Sequence, residues 1–205
     1  MKMIIKRLID IVISVLALLI FSPVLILISF LIKIDSTGPV FFCQDRVGQG
    51  CKLFTLWKFR TMYSDTNPKA DSPNSDSDVR ITRIGKFLRE YSLDEIPQLI
   101  NVLTGEMSLI GPRPIYLKLA SLLNKEQNKR FKVKPGITGL AQINGRADST
   151  WTERINFDSY YIDNYSLKLD IVIFFKSIFI IFFNKNIYEV NASLEEHGIS
   201  NDDKS

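Results

Sequence analysis

The chain opens with one long run of apolar positions that is interrupted near its middle. From Ile11 to Ile32 there are 22 residues without a charged side chain, and as a helix of about 33 Å they are long enough to cross the apolar core of a bilayer. Ser22 and Pro23 lie near the centre of this run, where proline removes a backbone donor and crowds the preceding turn. The pattern predicts a membrane segment over residues 1–34 whose helix is kinked or broken at Ser22-Pro23.

Two topologies fit this segment. A spanning helix with its basic N-terminal end held inside would export everything after residue 34. A re-entrant hairpin, in which a helix, a break and a second helix dip into the bilayer and return, keeps both ends in the cytoplasm. Lys33, Lys52 and Lys58 remove the charge asymmetry that export requires, so the pattern favours the re-entrant form. No small-residue cleavage site follows the apolar run, which argues against a signal peptide.

Beyond residue 34 the apolar positions repeat over shorter distances. Residues 39–62 are rich in β-branched and aromatic side chains and contain Gly48 and Gly50, which predicts a β-hairpin. The apolar block 171–183 is too short to cross a membrane, so it predicts an interfacial or core helix. Helical spacing also extends over residues 80–91, 95–104, 115–131 and 151–164.

These elements predict a helix-rich α+β fold in three regions. A re-entrant membrane hairpin occupies residues 1–34, and a polar C-terminal tail occupies residues 185–205. Between them, residues 35–184 form a cytoplasmic, membrane-associated domain with a small β-hairpin and several short and interfacial amphipathic helices. This middle region is the candidate catalytic domain.

The charge distribution points to a membrane rather than to nucleic acid. The chain of 205 residues has a formal net charge of +4. Residues 1–34 contribute +3 of it, and the remainder holds 22 basic and 21 acidic residues. The excess of basic residues therefore flanks the apolar segment, as on a cytoplasmic membrane face, and we expect no nucleic-acid partner.

The histidine and cysteine content excludes several kinds of site. The single histidine, His197, lies in the polar tail, which argues against a Ser-His-Asp triad and His-ligated zinc. Cys43 and Cys51 form no CxxC motif and are interpreted as free thiols of a reducing compartment, with a cross-strand bridge as the minor alternative. Chemistry in this chain must use carboxylates, Arg and Lys.

An acidic pair, Asp94-Glu95, begins a short helical pattern that Gly105 ends. Asp94 would then lie at the positive end of a helix dipole, which keeps its carboxylate ionised and attracts phosphate oxygens. By itself this segment fits an ordinary N-cap better than a reactive acid.

Basic and polar residues elsewhere change that balance. Prolines on both sides of Arg113 restrict the backbone and hold its guanidinium in one direction, which suits bidentate phosphate binding. Lys58 and Arg60 share one face of the second hairpin arm by two-residue alternation. Gln142 and Arg146 lie in a glycine-punctuated stretch and provide polar groups for a nucleotide or a phosphate.

Taken together, these strings resemble the bacterial sugar transferase family, the monotopic phosphoglycosyl transferases. The similarity covers roughly residues 3–183 in order, and the chain begins directly at the hairpin, so the resemblance implies a small, minimal member. The matching strings are Lys58-Phe59-Arg60-Thr61-Met62, Ser92-Leu93-Asp94-Glu95-Ile96-Pro97-Gln98-Leu99, Asn101-Val102-Leu103, Gly111-Pro112-Arg113-Pro114, Pro135-Gly136-Ile137-Thr138-Gly139 and Asn144-Gly145-Arg146.

The resemblance implies a two-step transfer. Asp94 would be the nucleophile that attacks the sugar-bearing phosphorus of a UDP-sugar, expels UMP and forms an aspartyl phosphosugar, which undecaprenyl phosphate then displaces. A carboxylate nucleophile splits one transfer between two anions into two easier ones. Glu95 would be the second catalytic residue and the ligand of Mg²⁺. The phosphate- and substrate-binding candidates are Lys58, Arg60, Arg89, Arg113, Gln142 and Arg146, and Ser22 and Pro23 mark the membrane break.

The resemblance also implies a location and a pathway stage. The enzyme would lie in the bacterial inner membrane, in contact with membrane lipid, with its active site facing the cytoplasm. It would start the assembly of a bacterial glycan, such as a capsule, an O-antigen, an exopolysaccharide or a glycoprotein glycan. The sequence is compatible with a homo-oligomer and leaves the identity of the sugar open.

Two other functions use the same residues. A non-catalytic, membrane-anchored scaffold would bind polyprenyl phosphate without producing UMP. A phosphatase or nucleotide-sugar hydrolase would use the same aspartyl-phosphate chemistry but release its product into water. The intact Asp94-Glu95 pair among arginines argues against the scaffold.

Overall fold

The computed structural model of the chain describes residues 2–64, 78–144 and 149–183. Arg146 and the predicted tail over 185–205 lie outside these residues. The helix-rich α+β class is confirmed. Within the described ranges the elements are α1 (Lys2–Asp35), β1 (Phe41–Val47), β2 (Leu53–Phe59), α2 (Arg83–Glu90), α3 (Gln98–Thr104), β3 (Ser108–Ile110), α4 (Leu117–Ala120), β4 (Gly136–Thr138), α5 (Leu140–Asn144), α6 (Trp151–Asp163) and α7 (Leu167–Phe183), with 3₁₀ turns at Gln49–Cys51, Leu93–Glu95 and Gln127–Lys132.

Helix α1 continues through Pro23 without a break. Proline cannot donate to the carbonyl of Leu19, four residues earlier. The hydroxyl of Ser22 donates to that carbonyl instead, at 2.8 Å, and so replaces the missing bond. The break predicted at Ser22-Pro23 is therefore not observed, because the serine compensates for the proline beside it, whereas the kink predicted there stays a prediction.

Most apolar side chains of α1 are exposed. Of the described residues, only Met3–Asp35 form a helix long and apolar enough to cross a membrane, and 11% of its most apolar 18-residue window is buried. A core helix of a soluble protein would be mostly buried. This exposed surface suggests membrane association.

The N-terminal end of α1 is fixed to the rest of the protein by charged side chains. Lys6 Nζ lies 2.8 Å from Asp170 Oδ2 in α7, and Asp10 Oδ1 accepts the backbone N–H of Leu109 in β3 at 3.2 Å. Arg7 donates to the last carbonyls of α3 at 2.5 and 2.9 Å. Two of the basic flanking residues that the sequence suggests for the membrane surface thus bind the domain itself.

The predicted hairpin is confirmed. Strands β1 and β2 are antiparallel, with Phe41 opposite Phe59 and Val47 opposite Leu53. Cys43 and Cys51 are free and exposed, which confirms the thiol interpretation.

A second, parallel sheet was not predicted. It consists of β3 and β4, with Ser108 opposite Gly136 and Ile110 opposite Thr138. Directly after β3, the two backbone segments approach so closely that a Cβ on Gly136 would lie 2.1 Å from the backbone nitrogen of Gly111. These glycines therefore allow the two backbones to pack against each other, because they have no side chain.

The predicted helix over 115–131 is wrong, since the structure has only α4 and the turn Gln127–Lys132 there. Asn124 and Gln127 explain the interruption, because the side chain of each accepts the backbone N–H of the other, at 2.9 and 3.0 Å. Such local bonds compete with the helical ladder.

Three buried clusters hold the described part of the domain together, and the smallest of them consists of Val47, Ile115 and Phe131. The next in size packs the C-terminal half of α1 against β2 and α2 and consists of Ile28, Ile32, Phe59 and Leu88. Leu93 packs against this cluster and Ile96 against the larger one, so the residues between them lie where the two clusters meet. The larger cluster consists of Phe54, Leu56, Leu99, Val102, Met107, Leu109, Ile110, Leu140, Tyr161 and Ile173.

Candidate active site

The acidic pair lies in a 3₁₀ turn between two helices. Ser92 has a left-handed backbone (φ 53°, ψ 23°), an uncommon conformation for a residue with a side chain. Helix α3 (Gln98–Thr104) begins later than predicted, and Gly105 (φ 90°) ends it as predicted. The prediction that Asp94 caps this helix is wrong, because Leu93–Glu95 form their own turn before it.

Cations surround the pair unequally. Lys58 Nζ lies 2.7 Å from Glu95 Oε1 and 3.8 Å from Asp94 Oδ2. Arg113 Nη2 lies 2.8 Å from the same Oε1 of Glu95. Asp94 is 8% exposed, and within the described ranges no group donates a hydrogen bond to its carboxylate. Glu95 is thus neutralised by two direct partners, and Asp94 by one more distant partner.

The two carboxyl groups consequently differ in acidity. Burial raises the pKa of Asp94, and this effect is opposed by the charge of Lys58 and reinforced by the charge of Glu95. Burial would also raise the pKa of Glu95, but Arg113 and Lys58 lower it to about 2. Glu95 is therefore the permanent anion of the pair, and Asp94 is the more basic and more nucleophilic carboxylate.

Asn101 fixes the strand that carries Lys58. This side chain is fully buried in α3. Its Oδ1 accepts the backbone N–H of Trp57 at 3.1 Å, and its Nδ2 donates to the carbonyl of Thr55 at 2.8 Å. Sequence reasoning missed this role, although a polar residue on the apolar side of a short helix is a signal that could have identified it.

Two further arginines hold the loop that presents Arg113. Arg130 Nη2 donates to the carbonyl of Arg113 at 2.7 Å and lies 3.0 Å from Asp158 Oδ2. Arg46 Nη1 donates to the carbonyl of Pro114 at 3.3 Å. The direction of Arg113 thus depends on these contacts as well as on the prolines that the sequence shows.

Arg46 is itself fixed by stacking. Its guanidinium lies 3.4 Å from the ring centroid of Tyr116, and burial lowers its pKa to about 10. Sequence reasoning missed both Arg46 and Arg130. Nothing in the sequence distinguishes Arg130 from the basic residues beside it, Lys129 and Lys132.

The remaining predicted residues within the described ranges differ in where they lie relative to the acidic pair. Arg89 lies close enough to lower the pKa of Asp94, and among the described residues it forms no ion pair. The side-chain amide of Gln142 is buried without a hydrogen-bond partner. Arg60 lies at the C-terminal end of α1, where it donates to the carbonyls of Ser36 and Thr37. The structure therefore brings Lys58, Arg89 and Arg113 to the acidic pair but not Arg60.

The sequence of the chain is similar to those of known proteins. The family model described as bacterial sugar transferase matches residues 1–184. The chain belongs to the bacterial sugar transferase family. The resemblance inferred from the sequence motifs is thereby confirmed.

Relatives of this chain include proteins with named activities. The UDP-glucose:undecaprenyl-phosphate glucose-1-phosphate transferase of Escherichia coli K12 is 45% identical over 196 residues, which are 89% of this chain and 41% of that protein. The UDP-N-acetylgalactosamine-undecaprenyl-phosphate N-acetylgalactosaminephosphotransferase of Aeromonas hydrophila is 43% identical over 180 residues, which are 85% of this chain and 43% of that protein. The chain thus spans about two fifths of the length of these relatives.

A relative of matching length also exists. EpsL of Bacillus subtilis, named an uncharacterized sugar transferase, is 37% identical over 203 residues, which are 99% of this chain and 100% of that protein.

The acidic pair suits a metal that is shared with a substrate. Among the residues that the structure describes, no group of three or more His, Cys, Asp or Glu side chains forms a metal cage. Mg²⁺ commonly binds through one or two carboxylates together with substrate phosphates and water. Both recorded bonds to Glu95 use Oε1, so the donor set of this pair fits such a site.

Proposed function

We propose that this sugar transferase moves a sugar-1-phosphate from a UDP-sugar to undecaprenyl phosphate and releases UMP. The observation that carries the proposal is the buried pair Asp94-Glu95 with Lys58, Arg89 and Arg113 around it. Two phosphate-bearing substrates and a carboxylate repel one another, and these cations offset that repulsion. The names of the relatives support the same donor and acceptor classes.

Asp94 acts as the nucleophile in this proposal. One carboxylate oxygen attacks the phosphorus that carries the sugar, the bond from that phosphorus to the UMP oxygen breaks, and UMP leaves with the electron pair. An oxygen of undecaprenyl phosphate then attacks the same phosphorus and displaces Asp94, which regains its carboxylate. The product is undecaprenyl diphosphate linked to the sugar, and no proton acceptor is required because both nucleophiles are anions.

The unequal acidity of the pair supports this assignment. A nucleophile must keep an available lone pair, and the Asp94 carboxylate accepts no hydrogen bond among the described residues. Glu95 instead holds Lys58 and Arg113 in place at 2.7 and 2.8 Å. Lys58 and Arg113, with Arg89, are therefore positioned to bind phosphoryl oxygens before the substrate arrives.

Glu95 is also the residue that would hold Mg²⁺, beside Asp94. When bound, the ion supplies positive charge that neutralises the diphosphate of the donor. Asp94, Lys58 and Arg113 perform binding and attack from their own positions.

The contacts of α1 support a membrane segment that does not cross the bilayer. As a straight helix its 34 residues are about 51 Å long, yet both ends contact the same domain. Lys6 binds Asp170 near one end, and Asp35 accepts the backbone N–H of Ile84 at the other. A crossing helix would carry its ends to opposite sides of the bilayer. We therefore propose a monotopic protein of the inner membrane with the acidic pair on the cytoplasmic side.

The product suggests the place of the reaction in a sequence. A lipid diphosphate that carries one sugar is a primed acceptor for further glycosyl transfer. The transfer thus starts the assembly of a bacterial glycan on its lipid carrier.

UMP release from the full chain tests the proposal. The protein in lipid nanodiscs is given a panel of UDP-sugars and Mg²⁺, with or without undecaprenyl phosphate. We expect turnover only with the lipid acceptor, and its loss in D94N. D45N is the matched control because Asp45 is an exposed acid of β1.

The other outcomes identify the alternative functions. Sustained UMP release without lipid acceptor, with sugar phosphate in solution, would indicate a hydrolase. Binding of undecaprenyl phosphate without UMP release from any UDP-sugar would indicate a scaffold. Full turnover by D94N would contradict the role of Asp94.

A further inference from the structure

Arg60 closes the C-terminal end of α1. The last carbonyls of a helix have no partner within it, and a cation there also complements the helix dipole. Arg60 Nη2 donates at 2.8 Å to the carbonyl of Ser36, directly after α1, and at 3.5 Å to the carbonyl of Ile32 in its last turn, which also accepts the backbone N–H of Ser36. Nη1 donates to the carbonyl of Thr37 and, at 2.6 Å, to Ser64 Oγ. Both terminal nitrogens are therefore used within the protein, and Arg60 is 5% exposed.

Gly38 leaves the space that this contact needs. Its backbone has φ +120°, and a Cβ at this position would lie 2.2 Å from Arg60 Nη1 and 2.1 Å from Ser64 Oγ. Only glycine avoids both the collision and the strained backbone. The loop after α1 is thus shaped around the guanidinium.

The end of α1 is connected to the acidic pair by a short route through β2. Arg60 follows Lys58 by two residues, and Lys58 Nζ lies 2.7 Å from Glu95. Between them, Phe59 is 2% exposed and packs with Ile28 and Ile32 of α1. Three consecutive residues therefore contact the acidic pair, the core beside α1, and the carbonyls in and directly after the last turn of α1.

A second route runs through α2. The carboxylate of Asp35, the last residue of α1, accepts the backbone N–H of Ile84 at 3.0 Å. Helix α2 ends at Glu90, four residues before Asp94. The strand β2 and the helix α2, which carry the residues on either side of the acidic pair, thus both contact the C-terminal end of α1.

We propose that Arg60 is a positioning residue that fixes the end of the membrane helix to β2 and so sets the height of the acidic pair relative to the bilayer. This inference rests on the proposed function. Arg60 therefore affects the rate of transfer to undecaprenyl phosphate, because only this substrate is held at a fixed depth in the bilayer by its tail. The water-soluble UDP-sugar reaches Asp94 at any height.

Half-reaction kinetics test this role against direct phosphate binding. R60M removes the charge and donors but keeps an unbranched stem, and K33A is the control, because Lys33 donates to the carbonyl of Gly38 nearby from an exposed position. Each full-length variant in nanodiscs is given UDP-sugar alone, and the first-turnover yield of UMP is measured. Turnover is then compared with undecaprenyl phosphate in the bilayer and with a short-chain polyprenyl phosphate in detergent.

We expect R60M to keep its first-turnover UMP yield within two-fold of the unmodified protein. Its turnover with the membrane acceptor should fall at least ten-fold and recover to within three-fold with the short-chain acceptor, while K33A behaves like the unmodified protein. Parallel loss of the first turnover would overturn the inference and indicate phosphate binding by Arg60. Equal loss with both acceptors would also overturn it. Absence of UMP release from the unmodified protein would instead reject the proposed function.

A depth measurement provides a readout that does not depend on activity. A nitroxide on exposed Cys51, with Cys43 replaced by serine, reports the height of the hairpin above the membrane. We expect R60M to shift or broaden this height and K33A to leave it unchanged, and an unchanged height in R60M would overturn the inference. If R60M does not fold, R60K undergoes both tests, because lysine keeps the charge but cannot bridge several carbonyls as the guanidinium does.

Discussion

Asp94 and Asp158 are both buried aspartates beside arginines, and burial raises the pKa of each. Their surroundings differ in one respect. Asp158 lies 3.0 Å from Arg130, and these two side chains are 4% and 5% exposed. Asp94 has its nearest cation 3.8 Å away, at Lys58. The same residue type is thus held by a direct partner in one place and left available in the other.

In the proposed mechanism this difference separates a structural acid from the reactive one. The Arg130–Asp158 pair holds the carbonyl of Arg113. The cations around Asp94 are held mainly by its neighbour Glu95, so they attract phosphate without occupying the Asp94 carboxylate. Burial alone therefore does not distinguish the proposed nucleophile Asp94 from Asp158, whereas the absence of a direct cationic partner does.

Exchanging each aspartate for asparagine should have opposite consequences. We expect D94N to lose UMP release by at least about 1000-fold while its melting temperature stays nearly unchanged, because no close ion pair is lost. D158N should lose about 3–5 kcal/mol of unfolding free energy, because Arg130 is left buried without its partner. Single-turnover assays and urea unfolding measure both effects. An inactive but stable D158N would contradict the comparison.

Removing Lys58 should have the next largest effect. K58M takes away the cation nearest to Asp94 and one of the two partners of Glu95, so we expect UMP release to fall about 100-fold. K129M is the matched control, because Lys129 forms surface ion pairs with Glu126 and Asp163, and surface pairs contribute little. Similar activity in K58M and K129M would show that the charge at position 58 is not used.

The pH dependence of stability should give the smallest effect. Glu95, like Asp158, has a direct cationic partner, and Arg113 and Lys58 lower its pKa to about 2, so the folded state holds fewer protons than the unfolded state between about 2 and 4.5. Glu95 therefore contributes stability above about pH 4.5 that is lost as the pH falls towards about 2. Urea unfolding from pH 3 to pH 6 should show a rise in the free energy of unfolding that is smaller in E95Q, and an identical slope in E95Q would assign the rise to other groups.

The sequence predicts the outline of the fold because its strongest signals are local. The uncharged run of α1 and the alternation around Gly48 and Gly50 depend on neighbouring residues only. The parallel pairing of β3 and β4 depends on residues far apart in sequence, and three-residue strands carry little periodicity. The continuous path of α1 through Pro23 depends on one side-chain bond from Ser22 that composition does not reveal.

The same distinction applies to the site. Asp94, Glu95, Lys58 and Arg113 were identified because they lie in recognisable strings, and the structure brings them together. Arg60 lies in such a string as well, but its guanidinium is turned to the end of α1 by contacts that only the folded chain creates. Arg46, Arg130 and Asn101 act through backbone carbonyls and amides, which leave little trace in a single sequence.

Intact and peptide mass spectrometry of acid-quenched protein tests the central claim most directly. The full chain in nanodiscs is mixed with UDP-sugar and Mg²⁺ in the absence of undecaprenyl phosphate. The account predicts an added sugar phosphate on Asp94 that disappears when the lipid acceptor is supplied and never forms in D94N. An adduct on another residue, or turnover without any adduct, would contradict it.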